Sequence, residues 1–585
     1  MIVRNDLVPL KKVKTLTNFG VFDIESKKGT WDKFDFAGTF YNGEYKRHDT
    51  VEDLLNEMLD LNNAVTHRVF YAHNLDYDGM FLLNVLKELE EYKITPIIAN
   101  RMLSLNIKKG RHTWKINDSY ALLPHSLKKL MLQFKTSVTK ESLNNIDKRN
   151  YSDCVGLYEI LDTHFSKNLN HVVSLSQAST YMNIFRSKYL TTNIVENDKA
   201  TSFIRSAYYG GRTEIFNFNV DPDKKFYLYD VNSLYPSVMK GKPYPVGKLK
   251  RYPARMINEV EGIALAIIEN KRAIPILPVK EQKMFFRNGK IKGWYCLPEL
   301  RYMIKKGQSV NILTLLGTNK TAFLFDSYIN YYYSIKKESK GNDPIAYLNC
   351  KLAMNSLYGK FGQNTKKTIT LVNPEEYPSI YLPVNDDHSI IKYDTESRSS
   401  FIKPLLSAYV TSYSRVKMLE YIDMLEEDII YYMDTDSLYL SEEKLENSKQ
   451  LGKMELEKKV KGLQTYLPKI YYYEGGIKCK GISIYNRDLE GNPEIDYKRV
   501  FSFLKGDEIS YKAGLRKFKS MYKKQDWLET NVNKKTLKAH YDKRIIDGSN
   551  TYPFITYKPM KNKPRWDYLR SVMNDNFSTM FREFL

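Results

Sequence analysis

Tyr432-Met-Asp434-Thr-Asp436-Ser437 lies inside an apolar and aromatic segment, with residues 429–432 before it and residues 438–440 after it. This composition predicts a strand, in which residues two apart share a face, and the following Ser-Glu-Glu indicates the exit from a hairpin with the two acids at its tip. Two carboxylates on one face repel each other unless a cation lies between them. Mg²⁺ prefers such oxygen ligands, and phosphoryl transfer uses that ion. A solvated acidic turn is the alternative interpretation of this motif taken alone.

Two further motifs precede this hairpin. Asp230-Val-Asn-Ser-Leu-Tyr-Pro236 follows an apolar run, which predicts a strand that ends in a carboxylate and turns into a short helix. In Lys351-Leu-Ala-Met-Asn-Ser-Leu-Tyr-Gly359, the spacing i, i+4, i+7 places Lys351, Asn355 and Tyr358 on one helical face. That face offers a cation for phosphates, an amide and an aromatic ring for a base. An ordinary helix that ends at a glycine is the alternative.

In this order, the three motifs resemble motifs A, B and C of family B DNA polymerases, and the modest chain length resembles the protein-primed branch of linear-genome phages and linear plasmids. The resemblance implies an α/β and α+β multidomain protein, with an RNase H-like 3′–5′ exonuclease domain followed by a right-hand polymerase domain of palm, fingers and thumb. The expected boundaries are 1–190 for the exonuclease and 191–585 for the polymerase, with palm motifs at 230–236 and 432–437, an insertion at about 250–345, fingers at about 323–362, a second insertion at about 363–404, and a thumb at about 500–585.

The resemblance also implies roles for the motif residues. Asp230, Val231 and Asp436 would hold two Mg²⁺ ions, for which Mn²⁺ can substitute, while Asp434 acts from nearby. The implied nucleotide-binding residues are Tyr235 under the sugar, Lys351 on the triphosphate, and Asn355 and Tyr358 behind the nascent base pair.

A second set of acids lies near the N-terminus. Asp23 and Glu25 share a face of a predicted strand, Asp78 follows a second strand, and Asp153 begins a predicted helix. Four acids on separate elements can hold two metal ions that activate water. Acids at strand ends and helix caps are common without any metal, which is the alternative for each one singly.

These acids resemble the three motifs of a proofreading exonuclease, which makes all four of them expected catalytic metal ligands. One position departs from the family pattern: Arg149 stands four residues before Asp153, where a tyrosine is usual. Tyr158-x-x-x-Asp162 fits the literal pattern, but the residues after Asp153 are closer to the family's continuation. The assisting tyrosine, Tyr151 or Tyr158, stays open.

Further short motifs resemble DNA-binding elements of the family. Their residues are His73, Asn74 and Tyr77 at the exonuclease site, Ser126 and Leu127 in a Ser-Leu element, Tyr209, Gly210 and Gly211 in a Tyr-x-Gly-Gly loop, Arg415 in a Thr-x-x-Ala-Arg-like motif, and Lys469 and Tyr471 in Lys-x-Tyr. For His73 a structural role, and for Ser126 a plain helix cap, explain the residue nearly as well. Arg415 is expected to contact DNA phosphates.

Composition agrees with a nucleic-acid partner. The 585 residues carry 90 basic and 68 acidic side chains, a net charge of +22 that suits a polyanion. Four dispersed cysteines predict neither a zinc site nor a disulfide framework, and no apolar run predicts a membrane span or signal peptide. The expected partners are template and primer DNA, dNTPs and a terminal protein that serves as primer, and the expected state is a monomer in the host cytoplasm.

Two other functions stay open at this stage. One is a small family B polymerase that extends ordinary nucleic-acid primers. The other is a nuclease or single-strand-binding protein with an inactive polymerase half, which the intact acidic motifs disfavour. A dNTP incorporation assay with Mg²⁺ separates these classes.

The hydrophobic pattern predicts a βαβ rhythm at the N-terminus. Strands are expected at 17–24 and 69–72, and helices at 51–61 and 79–92. Further along, the pattern predicts helical segments at 155–190, 323–360 and 404–427, and strands at 226–230 and 429–440.

Overall fold

The computed structural model describes residues 5–60, 68–99, 101–139, 145–219, 221–281, 283–396, 399–487, 493–510, 514–515, 530–531, 534–537 and 541–555. The predicted thumb, at about residues 500–585, lies mostly outside the described residues. Among the described residues, no helix is both long and apolar enough to cross a membrane.

The elements of the first 206 residues alternate between strands and helices. They are β1 Gly20–Ser26, β2 Phe34–Tyr41, β3 Glu44–His48, α1 Val51–Met58, β4 Val69–Ala72, α2 Leu75–Leu86, β5 Lys93–Ile98, β6 Met102–Lys109, β7 His112–Asp118, α3 Leu127–Phe134, α4 Ile146–Thr163, α5 Gln177–Lys188 and α6 Thr201–Ser206.

The middle of the chain builds a second group of sheets and ends in two long helices. Its elements are β8 Thr213–Ile215, β9 Lys225–Val231, α7 Leu234–Met239, β10 Tyr244–Pro245, β11 Lys250–Tyr252, β12 Glu261–Asn270, β13 Val279–Lys280, β14 Met284–Phe285, β15 Gly289–Cys296, α8 Leu297–Lys305, β16 Ser309–Thr318, β17 Thr321–Ala322, α9 Asp326–Ser339 and α10 Pro344–Phe361.

The remaining elements are mainly hairpins around one long buried helix. They are β18 Lys366–Val372, β19 Leu382–Pro383, β20 Ile390–Glu396, α11 Pro404–Ile422, β21 Ile430–Asp434, β22 Ser437–Leu440, β23 Met454–Lys461, β24 Gln464–Leu467, β25 Ile470–Tyr473, β26 Gly476–Cys479, β27 Tyr485–Arg487, β28 Pro493–Ile495, α12 Tyr497–Lys505, β29 Ile509–Ser510, β30 Gly514–Leu515, β31 Thr530–Asn531, β32 Lys534–Lys535, β33 Ile545–Asp547 and β34 Asn550–Tyr552.

A ten-stranded mixed sheet organises the N-terminal part, in the order β19-β20-β18-β5-β6-β7-β4-β1-β2-β3. β4 pairs in parallel with both β1 and β7, whereas β1 pairs antiparallel with β2. The helix α4 packs on β1 and β2. This α/β arrangement brings the ends of β1 and β4 beside the start of α4.

The predicted N-terminal elements are present with shifted ends. β4 has the predicted bounds, and α1 ends at Met58. α2 begins four residues earlier than predicted, because Asn74 enters it with a left-handed backbone and Asp76 and Asp78 fill its first turn, where acids favour a helix N-terminus. Its last turn ends at Leu86.

The second predicted insertion adds to the N-terminal sheet. β18 pairs antiparallel with β20 along its whole length and meets β5 through Val372 and Ile94, both in the N-terminal core. The Asn373 side-chain amide donates to the carbonyls of Leu86, Lys87, Leu89 and Tyr92 at 3.2–3.4 Å. A segment placed by sequence between motifs B and C is therefore continuous with the sheet of the first domain. The domain boundaries themselves stay a prediction.

A five-stranded antiparallel sheet carries the motif acids, in the order β23-β9-β22-β21-β8. The buried helix α11 packs against α7, α8 and α10, and α9 and α10 lie against each other. These helices place the predicted fingers residues beside the carboxyl end of β9.

Candidate functional site

The hairpin of β21 and β22 turns between the two acids of the central motif. Asp434 ends β21, Thr435 has φ of 63°, and Asp436 precedes β22. The Thr435 amide donates to the Arg212 carbonyl at 2.7 Å. The acids therefore lie at the tip of a hairpin, as the sequence predicts, but the left-handed residue makes the turn between them at 435, so they are not two residues on one face of a single strand.

Asp230 lies in the strand next to this tip. β9 pairs with β22 on one side, where Asp230 faces Ser437, and with β23 on the other, where it faces Glu455. The Val231 amide donates to the Asp436 carbonyl at 2.8 Å, while the Val231 side chain is buried. The fold therefore brings Asp230, Asp434 and Asp436 into one open groove.

The three carboxylates differ in their electrostatic surroundings. Burial and the neighbouring Asp436 and Glu457 carboxylates raise the pKa of Asp230 to about 7. Burial also raises the pKa of Asp436, with Asp434 adding to the shift. The third acid, Asp434, accepts a hydrogen bond from Lys469 Nζ at 2.7 Å. Asp230 and Asp436 therefore form the pair that a cation would stabilise most.

Glu457 is a fourth carboxylate at this groove, and the motif analysis missed it. The pairing of β23 with β9 shifts register between Leu456 and Lys458, so Glu457 is the extra residue of a β-bulge. Bulges re-aim side chains near functional sites. Glu457 lines the groove with Asp230 and is exposed. The sequence hardly distinguishes Glu457, because Glu455 and Glu457 are two residues apart, the spacing expected for the solvent-exposed face of an ordinary strand.

We predict that Asp230→Asn stabilises the metal-free protein at alkaline pH. A folded-state pKa raised from 3.8 to about 7 gives stability that is present at low pH and lost as pH rises through 7. In EDTA, the variant should melt about 2 °C higher than the wild type at pH 8 and show a much smaller gain at pH 4.5, measured by calorimetry. The exposed Asp428→Asn is the matched control. A gain equal at both pH values would contradict this electrostatic account.

The predicted nucleotide-binding face is present on α10. Lys351 and Asn355 are exposed and Tyr358 is half-buried on the helix that spans Pro344–Phe361. The Tyr358 ring lies 4.5 Å from the Tyr235 ring, centroid to centroid, at an angle of 31°. Tyr235 follows the Asp230 strand in α7. This ring contact joins the α10 face to the carboxylate groove.

Lys336 is a second cation near this face, and sequence reasoning did not single it out. Its Nζ lies 2.9 Å from Ser233 Oγ, and burial together with the charge of Lys351 lowers its pKa. Half-buried Lys336 and exposed Lys351 thus place two positive charges near each other, which suits a polyanionic ligand. Lys336 lies next to Lys337 in the last turn of α9, where lysines are common, so the sequence gives no signal that distinguishes it.

The predicted Tyr-x-Gly-Gly loop packs on the catalytic hairpin. A Cβ on Gly211 would lie 2.7 Å from the Thr435 methyl group, so only glycine fits this approach. Tyr209 is buried, with its ring stacked on Tyr295 at 5.6 Å. Around Gly210, in contrast, a side chain would meet open space. Gly210 is the part of the loop that DNA could approach.

Arg415 requires a correction. Its guanidinium makes two hydrogen bonds of 2.8 Å to Glu299 and donates to the Tyr209 and Gly210 carbonyls at 2.6 and 2.8 Å. The residue is 4% exposed. Direct contact with a phosphate does not fit this burial; Arg415 instead fixes the glycine loop from inside.

A buried charge cluster supports the same loop from the far end of the chain. Arg212 donates twice to Glu214 Oε2, at 2.9 and 2.7 Å, and Arg544 Nη1 lies 3.6 Å from that oxygen. Arg544 also bonds Thr551 in the C-terminal hairpin. Because the Arg212 carbonyl holds Thr435, the C-terminal segment is connected to the hairpin tip.

Lys469 and Tyr471 line the carboxylate groove opposite Asp230. Lys469 is paired with Asp434, and the Tyr471 hydroxyl lies 2.7 Å from that of Tyr439. Their predicted contact with the primer end stays a prediction that their place beside the acids supports.

The N-terminal acids form a second cluster. Asp23 and Glu25 on β1 and Asp153 on α4 each offer an oxygen, and the three oxygens lie within 4.8 Å of one another. Asp78 lies beside them, and its Oδ1 accepts the Ile24 amide at 3.1 Å. Burial raises the pKa of Asp78, while that hydrogen bond opposes the shift. All four predicted acids are thus brought together from three elements.

Asn150 positions this cluster, and no motif pointed to it. It is fully buried, and its Nδ2 donates to the Asp23 carbonyl and carboxylate at 3.1 and 3.2 Å. The Tyr45 hydroxyl donates to Asn150 Oδ1 at 2.9 Å. A Cβ on Gly38 would clash with that oxygen at 2.0 Å, which explains the glycine.

The two tyrosines left open by the sequence both pack against other aromatic rings. Tyr158 stacks on Phe19 at 5.0 Å, and Tyr151 packs edge-on against Tyr45 at 5.3 Å. Tyr77 is the tyrosine whose raised pKa reflects burial first and then the charges of the nearby acids Asp78, Asp23 and Glu25.

The other predicted DNA-binding residues of the N-terminal part lie between β4 and α2 and at the start of α3. His73 is held by Ser119 Oγ and the His125 carbonyl, both at 2.9 Å, which favours its structural interpretation. Asn74 is exposed with φ of 87° and is bonded by Arg101. Ser126 caps α3 through the Lys129 amide, and Leu127 is buried.

Both clusters have the chemistry of divalent cation sites. Carboxylate oxygens are the ligands that hard cations prefer. Neighbouring carboxylates repel each other, and a cation bound between them relieves this repulsion. The N-terminal acids fit because their oxygens already converge within 4.8 Å. The hairpin acids fit because burial, and after it the Asp436 carboxylate, raises the pKa of Asp230, a penalty on the charged form that a bound cation would relieve.

Comparison with known proteins agrees with this geometry. Residues 64–156 and 149–451 match the family described as DNA polymerase type B, organellar and viral. The chain belongs to this family. The matched residues include the hairpin acids and, in the N-terminal cluster, Asp78 and Asp153.

Relatives of this family occur in fungi and phages. The chain is 27% identical to a probable DNA polymerase of Ascobolus immersus, over 80% of this chain and 46% of that protein. It is 24% identical to the DNA-directed DNA polymerase of Enterobacteria phage PRD1, over 80% and 86%. The chain thus spans about half the length of the fungal relative.

Among solved structures, Phi29 DNA polymerase bound to primer-template DNA and incoming nucleotides superposes with a TM-score of 0.69 at 19% identity, covering 90% of this chain and 100% of that chain. The expected fold class is therefore confirmed: the chain has the α/β and α+β multidomain fold of that polymerase.

Proposed function

We propose that this chain is a template-directed DNA polymerase with a separate 3′–5′ exonuclease site. The observation that carries the proposal is the contact of Tyr235 with Tyr358 at 4.5 Å, which places the α10 cation face beside the groove of Asp230 and Asp436. Family membership and the similarity to the phage polymerases support it. Template and primer DNA and dNTPs are the proposed partners.

In the polymerase site, Asp230 and Asp436 would hold two Mg²⁺ ions, or Mn²⁺ in their place, with Val231 at the edge and Asp434 held by Lys469. When bound, these ions lower the pKa of the primer 3′-hydroxyl and stabilise charge on the leaving pyrophosphate. Lys351 and Lys336 neutralise the triphosphate, which orients it for in-line attack.

The α10 face then selects the nucleotide. Asn355 and Tyr358 contact the nascent base pair, and Tyr235 packs under the sugar. The contact of the Tyr235 ring with the tilted Tyr358 ring holds Tyr235 in one place, so a 2′-hydroxyl would collide with it.

In the exonuclease site, Asp23, Glu25, Asp78 and Asp153 would hold the ions that activate water. Asn150 fixes the Asp23 carboxylate through a hydrogen bond of 3.2 Å. Exposed Asn74 and half-buried Tyr77 lie where an unpaired 3′ end would enter.

We predict that Tyr235→Val admits ribonucleotides. Removing the ring opens the space under the sugar, so discrimination between dNTP and rNTP should fall about a hundredfold, as for other losses of a steric contact. Single-nucleotide incorporation with matched dNTP and rNTP measures it. Tyr235→Phe keeps the ring and should keep discrimination; equal discrimination by Val and Phe variants would exclude this role.

We further propose protein-primed, strand-displacing replication of a linear phage or plasmid genome by a monomer in the host cytoplasm. The similarity to phage polymerases and the two long insertions support this. The second insertion extends the N-terminal sheet at its β5 edge, where Val372 pairs with Ile94.

A singly primed single-stranded circle tests displacement directly. With Mg²⁺ and dNTPs but no helicase, products many circles long are expected. Synthesis that stops after one lap would keep the polymerase but remove the displacement proposal, and favour a polymerase that extends ordinary primers. No incorporation with 3′ trimming intact would favour a nuclease with an inactive polymerase half.

A further inference from the structure

Arg149 contacts the exonuclease acids from the position where the family usually has a tyrosine. Its Nε lies 3.6 Å from Glu25 Oε1 and 3.7 Å from Asp153 Oδ2. Arg149 and Asp153 are one turn apart on α4, which puts both on one side of the helix. The side chains of Arg149, Glu25 and Asp153 are 23%, 10% and 4% exposed.

In these contacts Arg149 acts as a counter-ion to the two carboxylates and does not form a directional hydrogen bond with either. Distances of 3.6 and 3.7 Å exceed hydrogen-bond length, so the attraction is mainly Coulombic and has little directional constraint. Arginine stays protonated at every accessible pH. Its charge is therefore always present beside carboxylate oxygens that converge within 4.8 Å.

The carboxylate oxygens of Glu25 and Asp153 interact with Arg149, and the same oxygens would be the ligands of a divalent ion. A metal ion gains most from Glu25 and Asp153 when both are ionised and no other cation shares their charge. A tyrosine at position 149 would carry no charge at neutral pH and would not compete. Residue 149 thus sets how much metal this site requires.

We propose that Arg149 is a positioning residue that competes with divalent cations for Glu25 and Asp153, so that exonuclease action requires more metal than DNA synthesis does. This inference rests on the proposed exonuclease function. In the metal-free protein, Arg149 partly neutralises the two acids, and a metal ion held by Glu25 and Asp153 would have to offset this interaction.

The first test measures metal binding without activity. In the full chain carrying Asp230→Asn and Asp436→Asn, Mn²⁺ binding followed by electron paramagnetic resonance reports the N-terminal acids. Arg149→Met should tighten Mn²⁺ binding about tenfold, the effect of losing two partly exposed ion pairs, and Arg149→Lys should stay within about threefold of the Arg149 parent. Unchanged affinity in Arg149→Met, or equal affinity in the Met and Lys variants, would overturn the proposal.

The second test uses both activities of an otherwise wild-type chain. The Mg²⁺ concentration for half-maximal 3′ trimming of single-stranded DNA should exceed that for primer extension, and Arg149→Met should lower only the trimming value. Primer extension confirms that each variant is folded. If the wild-type chain neither trims nor binds Mn²⁺ at these acids, the exonuclease proposal itself fails; if it does both and Arg149→Met changes neither metal value, only the role of Arg149 fails.

Discussion

Asp436→Ala is expected to lower primer extension on the order of a thousandfold while 3′ trimming of single-stranded DNA continues at the wild-type rate. Asp436 follows the left-handed Thr435 at the hairpin tip, and its charge raises the pKa of Asp230. Losing one of two metal-holding carboxylates removes several kcal/mol of transition-state stabilisation. Initial rates of dNTP incorporation on a primer-template, at fixed Mg²⁺, measure the loss.

Asp428→Ala is the matched control for this prediction. It removes the same charge from an exposed position just before the same hairpin. Extension by this control should be unchanged. If Asp436→Ala keeps more than about a tenth of wild-type extension, the hairpin acids do not hold the catalytic ions.

The double variant Asp23→Ala, Glu25→Ala is expected to show the reverse pattern. Two of the three converging oxygen donors disappear, so trimming should fall on the order of a thousandfold or more and extension should persist. Misincorporated bases should then stay in the product. Degradation of a 3′-labelled single strand without dNTPs provides the measurement.

Glu44→Ala with Glu52→Ala controls for the lost charge, since both residues are exposed on the same domain. This pair should trim normally. A fall in both trimming and extension in the Asp23, Glu25 variant, with normal melting behaviour, would show that the two acidic clusters do not act separately.

Many residues of the two candidate sites could be chosen from the sequence because they belong to short motifs with fixed local geometry. Lys351, Asn355 and Tyr358 share a helical face by spacing alone, and the structure has them on α10. Asp230 was placed at a strand end for the same local reason. The convergence of Asp23, Glu25 and Asp153 came from the family resemblance, and the structure brings their oxygens together.

What the sequence could not predict depends on contacts between distant segments. The bulge at Glu457 appears only once β23 pairs with β9, and the burial of Arg415 only once α11 meets Glu299. Arg544 reaches Glu214 across more than 300 residues, a pairing that leaves no local pattern. The same holds for the addition of β18 to the edge of β5.

The central claim is that the groove of Asp230 and Asp436 copies a template. We would measure single-nucleotide addition by the Asp23→Ala, Glu25→Ala variant, which cannot trim its product, on a hairpin primer-template with Mg²⁺ and each dNTP in turn. The account predicts that only the dNTP complementary to the templating base is added, and that changing that base changes which dNTP is used. Addition of all four dNTPs at similar rates, or of none, would contradict it.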